Sequence, residues 1–169
     1  MTTSIYSISI PILTLGLTNL SAILDKALAQ TTAKSVDSKT LAGTRLIVDM
    51  LPLSKQVQIA CDSAKGAAAR LAGIDNPAHE DNEETIEQLK TRISKTLTFI
   101  NQVTASQLVG SESREIVIAY PNATLKFNGL DFLTKFALPN FYFHTTMAYA
   151  ILRANGVEVG KMDFLGKIQ

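Results

Sequence analysis

The chain has no tryptophan, one cysteine and two histidines, and charged residues make up only 18% of its 169 positions. Each scarcity excludes something. A single cysteine, Cys61, cannot form an internal disulfide and fits a reducing compartment. Lys and Arg number 16 against 15 Asp and Glu, a net charge of +1. That balance builds no basic face, so nucleic acid is not an expected partner. The apolar stretch Ile5–Leu24 has no Lys or Arg before it, as a signal peptide would need, and Ser, Thr, Asn, Pro and Gly interrupt it. It falls short of the roughly 18 unbroken apolar residues of a membrane span. The expectation is a cytoplasmic, soluble protein, 1–169 forming one domain, with no membrane partner. No phosphate loop, dinucleotide fingerprint or zinc-finger spacing is present. What is abundant is apolar: 46% hydrophobic residues, rich for a monomer of this size, which points to a buried subunit interface.

The chain is organised around Phe127–Asn155, which holds five of the seven Phe and one of the two His. Phe132, Phe136, Phe143, Met147 and Ile151 recur at three- and four-residue spacing, the period of a helix. Asn128 can cap its start and Asn155-Gly156 can end it. Pro139 removes one backbone donor and should bend this helix one turn before His144. Upstream, Thr3–Gln30 has helical period, with Ser4 as its cap and Pro11 kinking its first turns. Asp37 caps a short turn through Leu41 that Gly43 ends. Arg45–Gly73 reads as the second main helix, with Pro52 in its first turn and a stripe of small residues through Cys61, Ala64 and Ala68. Asp81 or Asn82 caps a third helix running to about Val103, whose charged face looks solvated. Glu115–Tyr120 and Ala123–Phe127, separated by Pro121-Asn122, read as a β-hairpin. The tail Val157–Gln169 should pack back on the body. Together these predict an all-α four-helix bundle with a β-hairpin between helices three and four.

That order, and the histidine in mid helix four, resemble the DinB/YfiT-like superfamily. The segments RLIVDMLPLSKQVQIACDSAKGAAARLAG and FALPNFYFHTTMAYAILRANGVEVGKMDFLG look like one bacterial branch of it, a domain of unknown function. The resemblance implies a DinB-type bundle, usually dimeric. It also implies a three-histidine metal site, with one ligand on helix two and two ligands four residues apart on helix four. Some relatives are thiol transferases or isomerases. His144 falls where the first helix-four ligand would be. Ala148 stands four residues on, and no histidine lies between Leu41 and Gly73.

The expected site residues are therefore Asp49, Gln56, Asn140, Tyr142 and His144 for a ligand, with His144 as the one catalytic candidate and no metal or other cofactor. Arg45, Asp49, Pro52 and Gln56 would share a face if the second helix were continuous. The first reading is a small-molecule-binding bundle without the metal triad. The others are a divergent enzyme of the thiol transferase or isomerase class with His144 as acid or base, and a structural protein acting as a dimer. Homodimer pairing is expected through helices one and two, which offer more apolar surface than one core covers: Ile5–Ile12–Leu15 and Leu13–Leu17–Leu20–Leu24 on helix one, and the small stripe plus Leu53, Gln56 and Ile59 on helix two. Cys61 is expected to be buried and inert, and His79 solvated.

Overall fold

A computed structural model describes residues 4–166. Thr3 and residues 167–169, at the ends of the helix and tail read above, lie outside the described residues. Helix α1 (Ile10–Ala33), α2 (Ser38–Ala42), α3 (Leu53–Ala72) and α4 (Ile86–Ile100) precede two short 3-10 turns, Ala105–Leu108 and Ser111–Ser113. Strands β1 (Glu115–Tyr120) and β2 (Ala123–Asn128) pair antiparallel, with Tyr120 opposite Ala123 and Glu115 opposite Asn128. Then come α5 (Gly129–Asp131), a π-helical segment (Phe132–Ala137), α6 (Leu138–Ala154) and the tail helix α7 (Lys161–Leu165). Helices α1, α3, α4 and α6 form the bundle: α3 packs between α4 and α6, and α1 lies against α4 and α6.

Local chemistry sets most boundaries. The Asn128 side chain accepts the Asp131 amide and starts the aromatic stretch. Asp37 caps α2 by accepting the Lys39 amide. Gly73 ends α3 in the left-handed conformation, at φ 68°. Gly129 permits a close approach, since a Cβ there would lie 1.8 Å from the Ser111 carbonyl oxygen. Pro139 has no amide to return to the Lys135 carbonyl one turn earlier. The helix answers with the wider π-helical pairing of Phe132–Ala137 immediately before it.

Three starts differ from the sequence reading. Helix α1 begins at Ile10, so Pro11 sits in its first turn. Ser4 caps only the preceding turn, accepting the Ser7 amide at 3.2 Å. Helix α3 begins at Leu53, not Arg45. A residue before proline avoids the helical region, and Pro52 becomes the cap position with extended ψ 165°. Residues 45–51 are a loop held by Leu53 N–H to the Thr44 carbonyl at 2.8 Å and by the Arg45 guanidinium on the Met50 carbonyl. Thus Arg45, Asp49, Pro52 and Gln56 do not share a helix face. Helix α4 is capped by Thr85, whose capping box with Gln88 outcompetes Asp81 and Asn82.

The core is aliphatic. Leu13, Leu17, Leu20 and Leu24 of α1 meet Val57, Ala64 and Ala68 of α3, Ile86, Leu89 and Ile93 of α4, and Phe141, Ala148 and Ile151 of α6, all buried. By length and composition alone α1 could cross a membrane, with mean hydropathy 1.3 over its most apolar window. Here its inner line packs against the other helices. Ile116 and Ile118 turn one face of the hairpin into the core. The helix-two line expected to pair subunits is used inside one chain: Leu53 and Gln56 are buried and Ile59 is half-buried.

Candidate functional site

His144 lies on the face of α6 that meets α3. There the buried Gln56 reaches it, with Nδ1 and Oε1 2.8 Å apart. Gln56 Nε2 donates to the Leu51 carbonyl at 3.1 Å. A carbonyl only accepts, so the Gln56 amide nitrogen must face Leu51 and its oxygen must face the imidazole. Nδ1 is therefore the donor, and neutral His144 carries its lone pair on Nε2. Burial holds the His144 pKa below its ordinary value, so the neutral form is favoured at pH 7. The Phe143 ring stands edge-on to the imidazole, centroids 5.1 Å apart. The result is a half-buried imidazole of defined tautomer whose Nε2 can accept a proton or a hydrogen bond.

The other expected residues are placed differently. Asn140 is one turn before His144 and donates to the Phe136 carbonyl at 2.7 Å, inside the π-helical segment. Asp49 is exposed in the 45–51 loop. Tyr142 is two residues from His144, about 200° around the helix. It lines an apolar cleft of about 150 Å³ facing α1, which His144 does not line. The structure thus joins Gln56 to His144 and sends Tyr142 to the opposite side. Ala148, the residue in line four positions after His144, is a buried methyl. Among the described residues no group of three or more His, Cys, Asp and Glu is placed to hold a metal ion. Cys61 is buried, and burial pushes its thiol up to about 12, far from a reactive thiolate.

A second polar cluster escaped the sequence reading. Arg92, on the face of α4 read as solvated, is buried. It pairs with Asp62 and Asp81 at 3.0 Å, with Glu83 at 3.1 Å and with the Glu80 carbonyl at 2.9 Å. Lys65 is also buried and donates to the Pro77 carbonyl. Together they pin the loop between α3 and α4. His79, expected in solvent, is half-buried within this loop with its Nδ1 enclosed. Burial, then Lys65 and Arg92, hold its pKa down. The signal available in the sequence was the acidic run Glu80–Glu84, which exceeds what one helix cap requires.

Residues 5–165 match a family described as a domain of unknown function, DUF1993. The fold is similar to a crystal structure of a DinB family member protein from Shewanella denitrificans. The two are 41% identical, with TM-score 0.87, over 96% of this chain and 92% of that one. No curated protein matches the chain.

Proposed function

We propose a function from the premise that this chain belongs to the DUF1993 family, a DinB-like domain. It is a small-molecule-binding bundle in which His144 Nε2 receives a hydrogen bond, or a proton, from the bound molecule. The observation that carries this reading is the chain Leu51 carbonyl–Gln56–His144, which fixes the tautomer and leaves Nε2 as the acceptor. The metal site implied by the resemblance does not fit the residues present. Helix α3 holds no histidine, its Gln56 instead meeting His144, and the in-line position on α6 is the methyl of Ala148. One imidazole is too few for a catalytic metal, which takes about three protein ligands.

The test is nitrogen NMR of the histidine rings together with metal analysis of the purified protein. The expected result is a neutral Nδ1–H ring for His144 at pH 7 and no stoichiometric metal. One equivalent of zinc, nickel or iron, lost in His144→Ala, would overturn the reading.

A second reading, that the protein works as a homodimer, is favoured by one observation. The loop that supplies the Leu51 carbonyl exposes Ile47 by 58% and Val48 by 92%, and Phe143, next to His144, is 52% exposed. Exposed apolar side chains on a loop joined to the His144 helix suit a contact site.

A further inference from the structure

We infer that the cleft between α1, α6 and α7 is a second ligand site, independent of His144, for a compact aromatic or branched aliphatic molecule bearing one oxygen. Its walls are apolar: Ile12, Leu15 and Ile23 from α1, Phe164 and Leu165 from α7. Its volume is about 150 Å³. A cleft of this volume has room for one benzene-sized ring, and its Leu, Ile and Phe walls suit an apolar body. One hydroxyl in the lining keeps its donor free. Thr145 Oγ1 already donates to the Phe141 carbonyl at 3.0 Å, and Asn19 Nδ2 to the Phe164 carbonyl at 3.1 Å. The Tyr142 hydroxyl meets no partner among the described residues. Only burial acts on it, raising its pKa and keeping it a neutral donor. A half-exposed phenol at the rim of an apolar hollow is placed to bond the polar end of a molecule whose body fills the hollow.

The outer wall is held in position rather than merely draped. Asn19 grips the backbone of α7 at Phe164, Lys26 pairs with Asp163 at 2.7 Å, and the Phe164 ring meets Tyr149 edge-on, centroids 6.0 Å apart. Three attachments to two different helices make α7 a fixed wall, so the hollow exists before a ligand arrives. A preformed hollow of one-ring size suits a small molecule, whereas a docking helix needs a long groove for several anchors.

The test uses p-cresol and toluene as probes, followed by amide and ring NMR and by calorimetry on the full chain. Both should bind, with shifts centred on Asn19, Tyr142 and Thr145. Tyr142→Phe should weaken p-cresol about 3- to 10-fold, the worth of one hydrogen bond, and leave toluene unchanged. Leu15→Trp, or Ile12→Trp at the neighbouring wall, should block both probes with the circular dichroism spectrum intact. No shift at those residues with millimolar probe would overturn the proposal. So would a dimer that Leu15→Trp splits and that binds neither probe, since the cleft would then be a subunit contact.

Discussion

At the scale of single residues, Gln56 decides how His144 behaves. Gln56→Leu would leave the Nδ1–H without its acceptor and should cost about 1–3 kcal/mol in urea unfolding. Gln56→Glu would place a carboxylate beside the same hydrogen and favour the imidazolium, raising the His144 pKa. The sign for stability follows. In the folded wild type the His144 pKa lies below that of the unfolded chain. The unfolded chain then binds more protons below about pH 6.5, so stability is full above that value and falls as pH drops through it. His79 is depressed too and adds to the same trend, so the diagnostic quantity is the difference between proteins. Melting temperatures from pH 5 to 7.5 should fall less steeply with acid in Gln56→Glu than in wild type. Parallel curves would mean that Gln56 does not govern this proton.

Among the elements, the loop between α3 and α4 depends on one buried guanidinium. Removing it by Arg92→Met leaves Glu83, only 12% exposed in its side chain, without its counter-charge. Asp62 and Asp81 are 43% and 47% exposed and can rehydrate, which puts the loss near the lower end of about 3–5 kcal/mol. Urea unfolding measures it, and a loss under about 1 kcal/mol would show the network to be ornamental. Arg92 was hidden in the sequence for a physical reason: it lies on a helix face that is polar by period, and it becomes buried only when residues 74–85 fold back over it. Helix identity, by contrast, was legible, because the stripes through Ile86, Leu89 and Ile93 and through Val57, Cys61 and Ala64 are local patterns. Boundaries were legible where one side chain acts alone, as Asn128 and Asp37 do. They were not where two signals compete, as at Thr85 against Asp81, or at Pro52 against the helical period upstream of it. The candidate site was half legible. His144 and Gln56 were both singled out, but their pairing joins residues 88 apart and depends on where α3 begins. Tyr142, two residues from His144, is turned by the helix period itself to the opposite side of α6.

For the whole molecule, the exposed apolar surface carries the last prediction. The bundle buries Leu13, Leu17, Leu20 and Leu24 of α1 and Leu53 and Gln56 of α3, while Leu15 on the outer line of α1 stays 50% exposed beside α7. What remains uncovered on the His144 side is the loop 45–51 and its neighbour on α6. Leu46, Ile47, Val48 and Leu51 are 37%, 58%, 92% and 44% exposed, and Phe143 is 52% exposed. The Leu51–Gln56–His144 hydrogen bonds tie the Leu51 end of the loop to α6 next to Phe143. A stable interface needs about 800 Å² from each partner, so the loop must be joined by α6 to supply it. A two-fold contact covers such a patch with its own copy and closes without forming filaments. Light scattering at micromolar concentration should therefore give twice the 18.3 kDa of one chain. Ile47→Asp with Val48→Asp should reduce that mass to one chain and leave the helical circular dichroism signal unchanged, because both side chains are exposed in one chain. A wild-type mass of a single chain would end the dimer reading, and a dimer unmoved by the double substitution would place its contact elsewhere.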